Sequence, residues 1–340
     1  MRAFTCPDCQ HLVLFESLEC LNSATVLGFD WGEREIVALP PDRACANRQE
    51  IGCNGVSSSP NGLCFSCVLT RTRPTDADDG PLRFAKAEAA KRRLIFELLE
   101  LGLPVESYLQ RAGGLAFDML NSERGEVITG HDDGLITLDL AEADDVHRER
   151  VRTVMGEPYR TLLGHMRHEI GHYYEPILCP PGSAARERYR ERFGDERADY
   201  QAAMDRHYAV GAPEGWENEF VSAYATMHPW EDWAETFAHY LHIRDALQTA
   251  VTYGVTVLGP AVFSTDEAPL SSFPATASEG IVGLLDAWLP LTYALNAINR
   301  SMGADDIYPF VLPPPVVEKL GFIDELVTAQ SPLTSERTAA

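Results

Sequence analysis

Two histidines four residues apart, with a glutamate after the first, form the segment His168-Glu169-Ile170-Gly171-His172. On a helix these histidines lie on one face, one turn apart, so both imidazoles can bind the same zinc ion. Glu169 then lies beside the open coordination position, where its carboxylate can take a proton from a water on the metal. The segment therefore predicts a catalytic zinc site with His168 and His172 as ligands and Glu169 as general base.

A catalytic zinc ion needs a third protein ligand and leaves its fourth position to water. The segment that begins at Pro229 supplies the candidates, which are Glu231, Asp232, Glu235, His239 and His242. Glu231 and Glu235 are one helical turn apart, so one can bind the metal while the other accepts a hydrogen bond from a ligating histidine. The competing interpretation is that acids in a first helical turn only complement the helix dipole. The histidines of this segment are more often packing residues than ligands.

Cysteines are concentrated at the start of the chain, where seven of the eight fall within the first 67 residues. Four of them predict a closed structural zinc site with no open position for chemistry, namely Cys45, Cys53, Cys64 and Cys67. A second set is incomplete, because Ser23 stands where a fourth cysteine is expected after Cys6, Cys9 and Cys20. A hydroxyl is a poorer zinc ligand than a thiolate, so this set is degenerate, recruits His11, or binds nothing.

Charge and apolar content limit the classes of partner. The chain has 28 basic and 51 acidic residues, a formal net charge of −23, which disfavours nucleic acids and anionic membranes. We expect a cytoplasmic protein, because no apolar run approaches the ~20 residues of a membrane span and the N-terminus lacks a signal-peptide stretch. Thiols stay reduced in that compartment, which favours metal binding over disulfides for the clustered cysteines.

Three parts are expected in the chain: a zinc-ribbon module over 1–73, a mixed α and β domain over 82–330, and a disordered tail over 331–340. A polar linker over 74–81 separates the first two. In the larger domain, the hydrophobic pattern and turn residues predict a first helix over 83–102 and then strands over 114–120 and 126–140, with a hairpin turn at 131–134. Further helices are predicted over 144–155, 158–175 and 184–210, the last broken near 194, and another begins at 229. A long loop over 251–279 and helices over 281–301 and 314–328 complete the prediction. The strand over 135–140 is a candidate sheet edge to which an extended peptide adds.

The whole arrangement resembles a bacterial family of zinc-binding metallopeptidases with an N-terminal zinc ribbon, of the HExxH zincin and gluzincin-like type. The matching segments span nearly the entire sequence, and they are FTCPDC, LFESLEC, CANRQEIGC, LCFSC, AKRRLIFELLELGLP, HMRHEIGHYYEP, FGDERADY, HPWEDWAETFAHYLHI and NRSMGADDIYPFVL. This resemblance implies an α+β fold with a zincin-like metallopeptidase domain. Ser23 departs from the family pattern, which has cysteine at that position.

One segment, SAYATMHPWEDWAETF, also looks like part of the lethal factor type of zinc peptidase. In that type a tyrosine lies seven residues before the liganding glutamate and a second glutamate lies four after it, which here are Tyr224, Glu231 and Glu235. The resemblance implies that Glu231 is the third zinc ligand and that Glu235 orients a ligating histidine. It also implies that Tyr224 donates its hydroxyl to the oxyanion formed during hydrolysis. A buried structural tyrosine is the alternative for Tyr224.

Together, these features predict a zinc-dependent metallopeptidase that cleaves peptide bonds, with one catalytic and one or two structural zinc ions. The expected partners are a peptide or protein substrate and a protein contact at the ribbon, without nucleic acid or membrane. Two alternatives stay open. One is a zinc-containing binding or scaffold protein with a zincin fold but little turnover, and the other is a zinc amidase or esterase that acts on a non-peptide substrate.

Overall fold

The computed structural model describes residues 1–74, 80–122, 127, 129–155, 160–258 and 280–330. Helices and strands are mixed along the chain, in agreement with the α+β prediction. The chain divides into two compact units, one of residues 1–99 with 104–166 and one of residues 100–103 with 167–340. The predicted domain bounds of 1–73 and 82–330 differ from this division and stay predictions. The predicted tail over 331–340 and most of the predicted linker lie outside the described residues.

The cysteine-rich region folds into two antiparallel hairpins and two short helices: β1 (Phe4–Thr5) with β2 (Leu12–Val13), β3 (Leu27–Asp30) with β4 (Glu35–Ala38), α1 (Arg48–Ile51) and α2 (Phe65–Val68). Helix α3 (Gly80–Glu100) follows, close to its predicted range of 83–102. Phe96 of α3 packs against Phe15 and Phe29, with ring centroids 4.8 and 5.7 Å away. The cysteine-rich region thus shares its aromatic core with α3.

A four-stranded mixed sheet completes the first unit, in the order β5 (Thr70–Thr72), β6 (Ala116–Leu120), β8 (Leu135–Asp139) and β7 (Gly130–Asp132). β6 pairs in parallel with β5 and β8, whereas β7 and β8 form an antiparallel hairpin. Asp133 and Gly134 at the tip of this hairpin have φ angles of 41° and 86°, as a two-residue type I′ turn requires.

The expectation that the strand over 135–140 is a sheet edge is wrong. β8 lies between β6 and β7, so both of its backbone edges are already paired, and it cannot add a further strand. The sequence pattern of a buried alternating strand does not distinguish a central strand from an edge, because both bury one face.

Helices make up most of the remaining chain: α4 (Asp145–Met155), α5 (Leu162–Leu178), α6 (Ala184–Phe193), α7 (Tyr200–Val210), α8 (Pro229–Thr252), α9 (Gly280–Ser301) and α10 (Pro314–Gln330). Asp199 caps α7, because its side chain accepts a hydrogen bond from the backbone N–H of Ala202. Pro229 opens α8 as predicted, since the first residue of a helix needs no N–H.

One helix end was predicted wrongly. Helix α5 does not stop before Pro176 but continues to Leu178. A proline in the last turn removes only one backbone hydrogen bond, and the N–H of Cys179 still donates to the carbonyl of Glu175 at 2.9 Å. Pro158, predicted to open α5, lies outside the described residues, as do residues 259–279 of the predicted long loop.

Helix α9 is long and apolar enough, by length and composition, to cross a membrane, although no membrane span was predicted from the sequence. Its buried face, which includes Leu284, Trp288 and Leu291, packs within the second unit against α8 and α10. The core helices of soluble proteins share this composition, so it does not by itself indicate a membrane span.

Helices α5 and α8 approach each other closely at a glycine. A Cβ atom at Gly171 would lie 3.0 Å from the Cα of Ala234 and 3.2 Å from its carbonyl oxygen. The indole N–H of Trp233 donates to the carbonyl oxygen of Gly171 at 2.9 Å, which ties the two backbones together. A side chain at position 171 would therefore separate the helices that carry the predicted metal-binding residues.

An ion pair holds α10 against the start of α8. Nζ of Lys319 lies 2.7 Å from Oδ2 of Asp232, and both residues are buried. The same ammonium donates to the carbonyl oxygen of Glu219 at 2.9 Å and lies 4.3 Å from the ring centroid of Phe220. Asp232 therefore pairs with a lysine in the second unit and is turned away from a metal-binding role.

The close approach at Gly171 generates a prediction about packing. Gly171→Val should destabilise the second unit by about 1–3 kcal/mol, because added methyl groups meet backbone atoms that cannot move aside. It should also lower the zinc content of the purified protein, since the two helices carry the predicted ligands. Urea unfolding and metal analysis measure the two effects.

Ile170→Val is the matched control, since Ile170 is buried in the same helix. It should cost about 0.5–1.5 kcal/mol and leave the zinc content unchanged. A Gly171→Val protein as stable and as rich in zinc as the wild type would contradict the packing argument.

Candidate active site

Side chains of α5 and α8 converge at one point. Nε2 of His168 lies 3.2 Å from Nε2 of His172, and the two nitrogens lie 3.0 and 3.4 Å from Oε2 of Glu231. His168 and Glu231 are buried, and His172 is partly buried. The histidines come from successive turns of α5, and Glu231 comes from the first turn of α8. The structure therefore brings together the three residues predicted as ligands of the catalytic zinc.

Glu235 orients His168 from one turn further along α8. Nδ1 of His168 donates to Oε1 of Glu235 at 2.7 Å, so the proton of a neutral imidazole lies on Nδ1 and Nε2 keeps its lone pair. The other oxygen of Glu235 accepts a hydrogen bond from the hydroxyl of Ser222 at 2.6 Å. Glu235 thus occupies the place predicted for a residue that fixes the tautomer of a ligand.

The three converging atoms fit a divalent cation. Oε2 of Glu231 is buried and accepts no well-directed hydrogen bond among the described residues, although it faces both imidazoles. Tetrahedral zinc with ligand bonds of ~2.0–2.1 Å places its ligand atoms roughly 3.3 Å apart. The observed separations of 3.0 to 3.4 Å match this spacing, and two nitrogens with one oxygen are a ligand set that zinc prefers.

The electrostatics of the cluster also favour a cation. Burial lowers the pKa of His168, but hydrogen bonds to Glu231 and Glu235 raise it well above its ordinary value. Burial raises the pKa of Glu235, yet the hydrogen bond from His168 brings it down to about 2. Two carboxylates thus flank one imidazole, and positive charge at this point stabilises both.

Glu169, the predicted base, is 5% exposed and lies next to His168 in the chain. Burial raises the pKa of Tyr200, and the carboxylates of Glu231 and Glu169 raise it further, which places both acids close to this tyrosine. The ring centroid of Tyr224 lies 5.9 Å from that of His168. The ring of the predicted oxyanion donor therefore lies near a predicted ligand, and the predicted base is buried next to that ligand in the chain.

Tyr200 was not predicted to belong to the site. Its hydroxyl donates to Oε1 of Glu231 at 2.9 Å. Nothing in its spacing from the histidine pair marks it, because it lies in a different helix. Asp199 before it signals only a helix start.

Three further histidines, two of them considered as ligands, have different partners. Nδ1 of His239 bonds with the hydroxyl of Tyr308 at 2.7 Å, and Nδ1 of His242 lies 3.5 Å from a guanidinium nitrogen of Arg167. His228 caps α8, since its Nδ1 accepts from the N–H of Trp230 at 3.1 Å. These three histidines are packing and capping residues.

A second cluster consists of four buried cysteines in the first unit. Their sulfur atoms lie within 4.8 Å of one another, and they belong to Cys45, Cys53, Cys64 and Cys67. Backbone N–H groups of Gly55 and Cys64 lie 3.4 Å from the sulfurs of Cys53 and Cys45, as donors to thiolates do. This cluster has the closed four-thiolate form predicted from the sequence.

The third cluster has three thiols and a hydroxyl. The sulfurs of Cys6, Cys9 and Cys20 lie within 4.8 Å of one another, and Oγ of Ser23 lies 3.4 Å from the sulfur of Cys6. Ser23 also bonds with the hydroxyl of Thr25 at 2.7 Å. His11 turns toward the backbone, with Nδ1 3.2 Å from the carbonyl oxygen of Cys9. Ser23 therefore faces the three-cysteine set.

Comparisons with known proteins agree with this geometry. Residues 81–326 match a family described as "Putative zinc-binding metallo-peptidase", and residues 3–78 match a zinc-ribbon domain. Uncharacterized proteins of Mycobacterium bovis and of two Mycobacterium tuberculosis strains are 51% identical to the chain, covering 99% of it and 100% of their own length. No solved structure matches the chain significantly. The chain therefore belongs to this zinc-binding metallopeptidase family and carries an N-terminal zinc-ribbon domain.

Proposed function

We propose that the protein is a zinc-dependent metallopeptidase with a zincin-like domain of the gluzincin type, which hydrolyses peptide bonds. The single observation that carries this proposal is the convergence of two imidazole nitrogens and one carboxylate oxygen at 3.0 to 3.4 Å from one another. His168, His172 and Glu231 would hold the metal. Three protein ligands are the number that leaves a fourth position for water or substrate.

Zinc bound there would lower the pKa of a coordinated water toward neutrality and polarise the scissile carbonyl. Glu169 is the proposed base that takes a proton from the attacking water and passes it to the leaving amine, since it is buried and follows His168 on α5. Glu235 keeps the Nδ1–H tautomer of His168, so that the Nε2 lone pair stays available. Tyr224 is the proposed hydrogen-bond donor to the oxyanion, since its ring lies against His168.

A peptide suits the surroundings of the site. Trp230 is 43% exposed, and its ring centroid lies 6.3 Å from that of His172. An exposed indole beside the ligand atoms offers apolar contact to a side chain next to the scissile bond. We further propose that the four-cysteine cluster holds a structural zinc and that the ribbon provides a protein contact.

The role of Glu169 gives the most direct test of catalysis. Glu169→Gln should lower the rate of peptide hydrolysis about 10²–10⁴-fold, because the amide cannot accept the proton, while the zinc content stays unchanged. Release of new peptides from unfolded casein, followed by mass spectrometry, measures the rate. Glu191→Gln changes an exposed acid of α6 and should have no effect.

Two outcomes would contradict a peptidase. One is a Glu169→Gln protein that cleaves casein as fast as the wild type. The other is a wild-type protein that holds zinc through Glu231 but releases no peptide from casein or from a mixed peptide library. The second result would favour a zinc-containing binding protein or a hydrolase of a non-peptide substrate.

Zinc content per chain tests the ligand assignments. The wild type should hold two tightly bound zinc ions, and Glu231→Ala and Cys64→Ser should each hold one, because each removes a ligand from a different site. Ser23→Cys should hold three, since a fourth thiolate completes the set of Cys6, Cys9 and Cys20. Metal analysis after dialysis against a weak chelator gives these numbers.

Glu235→Ala is the matched control for Glu231→Ala, because both remove a carboxylate that faces His168. It should weaken zinc binding without abolishing it, as loss of an orienting residue does. Full zinc content and activity in Glu231→Ala, with zinc lost in Glu235→Ala, would exchange the two roles.

A further inference from the structure

We infer that Tyr200 is a positioning residue of the metal site, which holds Glu231 so that a single carboxylate oxygen faces the cation. This inference rests on the proposed zinc site but not on the proposed turnover. The hydroxyl of Tyr200 donates to Oε1 of Glu231 at 2.9 Å, while Oε2 faces the two imidazoles. A carboxylate without this contact can rotate, and both of its oxygens can then compete for the same position.

The site holds its second acid in the same way. Glu235 presents Oε1 to His168 and receives a hydrogen bond on Oε2 from the hydroxyl of Ser222 at 2.6 Å. Each glutamate thus has one oxygen engaged at the histidines and the other bonded to a neutral hydroxyl. A neutral donor fixes the carboxylate without cancelling its charge, whereas a lysine or arginine at that position would reduce its attraction for a cation.

The proton of Tyr200 has a defined direction. A tyrosine hydroxyl has only one proton to donate, and Oε1 of Glu231 is the acceptor 2.9 Å from it. A carboxylate oxygen has no proton of its own, so the single proton of Tyr200 is directed to Glu231.

The backbone that carries Tyr200 is tied to the backbone that carries Glu231. Tyr200 is the first residue of α7, directly after its cap Asp199. Nδ1 of His228, the cap of α8, accepts from the N–H of Trp230, so its Nε2 carries the proton and donates to the carbonyl oxygen of Ala198 at 3.1 Å. One histidine therefore connects the two helix starts and sets the distance between Tyr200 and Glu231.

The zinc affinity of Tyr200→Phe in the full chain tests this role. The relevant ion is the one that Glu231→Ala loses, and competition with a chromophoric chelator gives its dissociation constant. Loss of an orienting hydrogen bond should weaken binding about 10–100-fold, with the far-ultraviolet circular dichroism spectrum unchanged. Tyr200→Phe removes only the hydroxyl, so the ring contacts of Tyr200 with His228 and Trp230 are kept.

Tyr189→Phe is the matched control. Its hydroxyl donates to the carbonyl oxygen of Pro229 at 2.8 Å, at the start of the same helix but not to a ligand. It should leave zinc affinity within twofold of the wild type. Zinc affinity within twofold of the wild type in Tyr200→Phe, or an equal loss in Tyr189→Phe, would overturn the positioning role.

The outcomes separate this inference from the proposed reaction. Weaker zinc binding in Tyr200→Phe, in a protein that cleaves no peptide, would support the positioning role and count against the peptidase. Unchanged zinc affinity together with Glu169-dependent cleavage would overturn the positioning role alone. A wild-type chain whose zinc content does not depend on Glu231 would contradict both.

Discussion

The close contact between α5 and α8 at Gly171 determines where the three proposed ligands of the catalytic zinc lie. The histidines on α5 and the glutamates on α8 have short side chains, so their atoms can meet only if the two helix backbones are nearly touching. Gly171 permits this, because a Cβ atom there would lie 3.0 Å from the Cα of Ala234. Gly171 lies just before His172, and Ala234 lies just before Glu235, so the contact point is adjacent to the site.

Around this contact, hydrogen bonds hold the outer atoms of His168, Glu231 and Glu235. Glu235 holds the proton of His168 on the outer nitrogen, and the hydroxyls of Ser222 and Tyr200 bond to the outer oxygens of the two glutamates. Each of these hydrogen bonds holds an atom that faces away from the point where the imidazoles and Glu231 meet. The buried point where the imidazoles and Glu231 meet is thereby lined by groups that a cation stabilises.

Much of this site could be predicted from the sequence because its main parts are local. The pair His168 and His172 and the pair Glu231 and Glu235 are each one helical turn apart, so a single periodicity places each pair on one face. The spacing does not show which glutamate faces both histidines. The assignment of Glu231 as the third ligand came only from the resemblance to the lethal factor type of zinc peptidase. Tyr200 was missed because its contact with Glu231 depends on how α7 meets α8, and no local pattern encodes such a contact.

The wrong predictions about the fold also concern features that local sequence patterns do not determine. Helices α3, α4, α9 and α10 end close to their predicted limits, because capping residues and apolar periodicity act within a few residues. The position of β8 within its sheet depends on pairing with β6 and β7, which alternation along one strand does not reveal. The continuation of α5 past Pro176 shows that a proline in the last turn of a helix destabilises it less than a proline in the helix interior.

The most direct test of the account is a crystal structure of the full chain with diffraction recorded above and below the zinc absorption edge. The account predicts an anomalous peak about 2.0–2.2 Å from Nε2 of His168, Nε2 of His172 and Oε2 of Glu231, with Oε1 of Glu231 still bonded to Tyr200. No peak at that position in a zinc-saturated crystal, or a zinc ion bound by Glu235 with Glu231 turned away, would contradict it.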